Sequence, residues 1–115
     1  MILITEEIRA ALLANGRASE KSGGEDDHKP VVKFFTPDGA ATWLITEMDE
    51  QEPDILFGLC DLGLGCPELG SVLLSELESI HGAVGLPVER DIHFQAKHPI
   101  SVYADMATRA GSIVA

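Results

Sequence analysis

The sequence predicts an α+β protein: an antiparallel meander of about four or five strands, with a helix before it, a short helix in its second half and a helix at its end. Three observations carry the prediction. Apolar residues recur at helical spacing near both ends of the chain. Between them lie short β-branched and apolar runs, bounded by Pro and Gly turn residues. The helical patterns stay apart from the run of strands, which is the α+β arrangement and not the alternation of an α/β chain. A length of 115 residues suits one domain with a core that needs no staples.

The first helix is expected over 6–15. Thr5 is a capping residue, Glu6 and Glu7 suit the positive end of the helix dipole, and Ile4, Ile8, Ala11 and Leu12 share one face. Gly16 after Asn15 is a stop signal. Residues 17–29, RASEKSGGEDDHK, hold no large apolar side chain and are expected to form a flexible loop. A strand over 31–36, the turn Pro37-Asp38-Gly39 and a strand over 41–48 make a hairpin, with Trp43, Phe35 and Phe57 expected in the core. An acidic loop over 49–54 leads to a strand over 55–62 that is apolar on both faces. A Gly-rich connection then leads to a fourth strand over 69–74. Ser75 with Glu78 reads as a capping box for a short helix that ends at Gly82. Ile92 and Phe94 alternate with polar neighbours, which suggests a fifth strand over 91–96. Ser101 is placed to cap a final helix carrying Tyr103, Met106, Ala107 and Ala110 on one face, with Gly111 closing it.

Charge excludes several function classes. Residues 34–89 contain no Lys or Arg, against eleven Asp and Glu. The formal net charge of the whole chain is −11. Phosphate contacts need cations, so direct nucleic-acid binding is disfavoured, as is an anionic membrane surface. No apolar run approaches the roughly 20 residues of a membrane span, and the first residues lack the basic start of a signal peptide. Cys60 and Cys66 lie outside any zinc-pair spacing and read as two reduced thiols, as in the cytoplasm. The glycines around Asp61 and Glu68 fit neither a P-loop nor a dinucleotide fingerprint. No cofactor and no metal site is implied.

Three constellations remain. The acidic run Glu47, Asp49, Glu50, Glu52 and Asp54 is the candidate binding surface, able to imitate the DNA backbone toward a basic enzyme. Asp61, Glu68, Asp91 and His93 form the candidate set for an alternative, a small hydrolase or metal-dependent enzyme with a carboxylate and imidazole site. Glu89 and Arg90 read as a structural latch in which Arg90, flanked by Glu89 and Asp91, is ion-paired and pins the last third of the chain to the sheet.

Three blocks resemble a family of short bacterial proteins known as domain of unknown function 2958: TPDGAATWLITE over 36–47, FGLCDLGLGCPELG over 57–70 and GLPVERDIHF over 85–94. The likeness extends from the first helix to Phe94 and more weakly through the last helix. Cys66 departs from it, standing where a larger apolar residue is expected. The resemblance implies a cytoplasmic accessory protein of plasmids and integrative elements, and it supplies no catalytic residue. The expected function is therefore binding of a protein partner, with a basic nucleic-acid-binding enzyme as the chemistry that fits. An exposed edge strand leaves homodimerisation open.

Overall fold

The computed structural model describes residues 1–115 as five strands and three helices. Helix α1 (Glu6–Ser22) is followed by strands β1 (Val32–Phe35), β2 (Thr42–Met48), β3 (Ile55–Asp61) and β4 (Glu68–Leu73). Helix α2 (Leu74–Ser79), strand β5 (Glu89–Arg90) and helix α3 (Ile100–Ala110) complete the chain. The sheet runs β4-β3-β2-β1-β5, every neighbouring pair antiparallel. The α+β class and the meander are those expected. No helix is long and apolar enough to cross a membrane.

Both faces of the sheet are covered, which explains why β2 and β3 are apolar on both sides. On one face Phe34, Trp43, Ile45, Met48 and Leu56 pack with Leu12 of α1 and Leu77 of α2. On the other, Leu44 and Leu59 pack under Ile100, Tyr103 and Ala107 of α3. Trp43 is buried as expected, but Phe34 rather than Phe35 fills the core, and Phe57 is only half-buried.

The first helix runs past its expected stop. Thr5 caps it, its Oγ1 accepting the Ile8 N–H at 3.2 Å, but Gly16 lies inside the helix and Gly23, at φ 73°, ends it. Residues 17–22 are therefore helix and not loop. The reason is tertiary. β2 carries a bulge between Ile45 and Glu47 that returns Met48 to the core. Asn15 Nδ2 donates to the Thr46 carbonyl at 2.8 Å, and Thr46 Oγ1 donates to the Phe57 carbonyl at 3.1 Å. A Cβ added at Gly16 would lie 2.1 Å from the Met48 carbonyl oxygen, so the helix reaches the strand backbone only because no side chain intervenes.

The two later helices are capped from a distance, not by their own serines. α2 begins after Leu73, and the Ser75 N–H and hydroxyl both donate to the Asp54 carboxylate, at 2.8 and 2.7 Å. α3 begins after Pro99, and the Ser101 N–H and hydroxyl both donate to Asp27. In each case the preceding helical N–H finds a backbone carbonyl, Leu74 on Asp54 and Ile100 on His28. A carboxylate accepts two donors at once and suits the positive helix end better than a hydroxyl.

The fifth strand also lies elsewhere. It is the two-residue Glu89–Arg90, paired with Phe35 and Phe34 of β1. After it Asp91 turns the chain: its carboxylate accepts the His93 N–H and its carbonyl the Phe94 N–H. Phe94 packs against the α3 cluster, whereas Ile92 is exposed.

Gly16→Ala is expected to cost about 3 kcal/mol, because helix or strand backbone must move. Gly70→Ala, with open space at its Cβ position, should stay within about 0.5 kcal/mol of the parent. Urea unfolding of the two variants compares them directly. Asp27→Ala and Asp54→Ala should each lower stability by about 1 kcal/mol, the usual cost of losing a helix cap, read as lower urea midpoints at unchanged slope.

Candidate functional site

A hollow of about 430 Å³ lies where the second half of α1 meets the end of β2. Gly16, Ser19 and Glu20 form one wall, and Glu47, Asp49 and Glu50 the other. Ile55, Phe57 and Ser71 supply its β3–β4 side. Helix docking at Asn15 and Gly16 therefore places Ser19 and Glu20 opposite the acids that follow the β2 bulge.

The five acids of the expected patch separate into different roles. Glu47 Oε1 accepts the Ser19 hydroxyl at 3.0 Å. Asp49 spends one oxygen on the N–H groups of Gln51 and Glu52, at 2.8 and 3.0 Å, which shapes the loop. Glu50 meets the Arg17 guanidinium at 3.2 Å, an ion pair open enough to solvent to be weak. Glu52 is exposed outside the groove lining, and Asp54 is held in the α2 cap. Three of the five thus face the groove, and Glu20 joins them from α1.

Glu20, Ser19 and His28 are the residues that sequence reasoning missed. They fall in or beside the stretch expected to be loop, and only its continuation as helix brings Glu20 to the acids. His28 Nε2 lies 3.1 Å from Ser19 Oγ and 3.8 Å from Asp26. Ser19 Oγ thus sits between Glu47 and His28. The arrangement is a hydrogen-bonded brace between α1, β2 and the loop.

Asp61, Glu68, Asp91 and His93 are not brought together. Asp61 is buried, with one oxygen on the Gly63 N–H at 2.8 Å and the other on the Ile113 N–H at 2.9 Å. Glu68 opens β4 at one edge of the sheet, and Asp91 and His93 follow β5 at the other, four strand spacings or about 19 Å away. No group of three or more His, Cys, Asp or Glu side chains is placed to hold a metal ion.

The Glu89–Arg90 latch holds by different bonds from those expected. Arg90 does not pair its flanking acids. Its Nη1 donates to the Ile2 and Leu3 carbonyls at 2.6 and 3.1 Å, tying the chain start to β5. Asp91 pairs instead with Lys33, at 3.6 Å. Glu89 contributes through its backbone pairing with Phe35. The two cysteines are free; burial pushes the Cys60 thiol up from its ordinary value, which disfavours its reactive thiolate, and Cys66 is exposed.

No curated protein and no solved structure matches the chain. A family match described as "Protein of unknown function (DUF2958)" covers residues 3–114, from the strand-tied start through α3, and the chain belongs to that family.

Proposed function

We propose that this protein is a non-enzymatic accessory factor that binds a basic protein through the acidic groove between α1 and the β2–β3 loop. The observation that carries the reading is the convergence of Glu20, Glu47, Asp49 and Glu50 on one hollow, with Arg17 paired to Glu50 and Lys21 beside Glu20 in the adjoining hollow. Carboxylates set along a groove attract a cationic surface over a distance and exclude acidic competitors. The partner chemistry that fits is an enzyme whose own nucleic-acid cleft is basic, so that the groove stands in for a stretch of phosphates. The resemblance to proteins of bacterial plasmids and integrative elements supports a cytoplasmic setting, in which such a factor shields the element from a host nuclease or restriction enzyme.

Capture of basic proteins from a bacterial lysate by the immobilised chain tests this. Glu20→Lys combined with Glu50→Lys should abolish capture while leaving the fold intact, because neither carboxylate bonds to the backbone. Capture should also fall away at 1 M salt, where the screening length is about 3 Å. Partners retained by the double variant, or held equally at high salt, would remove the groove from the mechanism.

A further inference from the structure

β4 ends the sheet, with β3 as its sole strand neighbour. The Leu74 N–H donates to the Asp54 carbonyl ahead of β3, and Cys60 Sγ of β3 approaches the Gly70 carbonyl. The even positions of β4 therefore turn their backbone groups toward β3. By the alternation of an antiparallel ladder, the N–H groups of Leu69, Ser71 and Leu73, and the carbonyls of Leu69 and Ser71, face away from the sheet. Pro67 and the exposed Glu68 guard only the start of this edge: from Leu69 to Leu73 there is no charge and no proline. Leu69 and Leu73 are 46% and 38% exposed. Their side chains share one face with Ser71, opposite Leu59, Ile55 and Phe57 of β3. Ser71, Ile55 and Phe57 are also part of the acidic groove.

We infer that β4 accepts a sixth, antiparallel strand, an extended segment of a protein partner with the pattern apolar-x-basic-x-apolar. The basic residue pairs with Ser71 and sends its side chain into the groove toward Glu47 and Glu50. The apolar residues two positions to either side lie on Leu69 and Leu73. Backbone bonds to the open edge hold the segment, and the alternate side chains set its register. Charge selects this occupant over a second copy of the chain. A symmetric pair with Ser71 on the two-fold axis would match Leu69 with Leu73, but it would bring no cation to either groove and would set two chains of net charge −11 edge to edge. The inference rests on the groove being the binding site and adds how the partner is held.

The test uses a labelled, capped heptapeptide in which threonine alternates with valine, lysine and valine, titrated with the full chain at low salt and read by fluorescence anisotropy. N-methylation of the lysine amide, which faces β4, should weaken binding about tenfold or more, whereas N-methylation of the next threonine, which faces away, should leave it within about twofold. Replacing the peptide lysine with glutamate should cost about tenfold or more as well. Binding that responds to salt and to the lysine but not to the methyl position overturns strand addition while leaving the groove reading in place. Binding that responds to the methyl position but neither to salt nor to the lysine overturns the assignment of the groove. Absence of binding by any peptide, or a concentration-dependent dimer in sedimentation that excludes the peptide, also overturns the inference.

Discussion

The close approach of α1 to the bulged end of β2 is the constraint on which the candidate site depends. At the bulge the Thr46 carbonyl accepts from Asn15, and the Met48 carbonyl faces Gly16 across a gap too small for a methyl group. A glycine inside a helix costs roughly 1 kcal/mol relative to alanine. Here that cost is offset by a contact no other residue permits, and by a hydrogen bond for a carbonyl that the irregular ladder leaves over. The helix then continues through Ser22, and its last turns form one wall of the groove. Without this seat Glu20 and Ser19 would have no fixed relation to Glu47.

The acidic residues do two different kinds of work, divided by side-chain length. Aspartates act as staples. Asp27 and Asp54 cap α3 and α2. Asp38 holds the loop after α2 through the Val84 and Leu86 N–H groups, and Asp61 ties the tail after α3 to the end of β3. A short side chain keeps its carboxylate near the backbone, where it accepts N–H donors that would otherwise go unsatisfied. The glutamates of the groove reach farther and bond to side chains, Glu47 to Ser19 and Glu50 to Arg17. A net charge of −11 is therefore not a uniform field, and Glu20, Glu47, Asp49 and Glu50 converge on the hollow beside α1.

That groove borders an unpaired strand edge, and the combination bears on how such a protein could bind tightly with few residues. Electrostatic attraction alone speeds encounter but fixes no register. Backbone pairing alone fixes register but is indifferent to sequence. Ser71 belongs to both the strand edge and the groove, so a segment laid along β4 would meet both at one residue.

The strands, the hairpin turn, the Thr5 cap and the two-sided burial of β3 were legible in the sequence because each follows from local rules. Periodicity, turn chemistry and capping are properties of neighbouring residues. The same rules misplaced the end of α1, the capping oxygens of α2 and α3 and the fifth strand. At each of those points a residue far along the chain supplied the competing bond: Thr46 for Asn15, Asp54 for Ser75, Asp27 for Ser101, Phe34 and Phe35 for the short β5. The candidate site was half legible for the same reason. Glu47, Asp49 and Glu50 stand close together in the chain and form a recognisable acidic run. Glu20 joins them only through the seating of a helix, and Asp54 leaves them only through a cap. By itself the sequence determined the elements, their order and the sign of the charge, since these depend on residues close in the chain. The tertiary structure alone decided which carboxylates staple the backbone and which line the groove, since that depends on which hydrogen-bond donors folding brings within reach of each one.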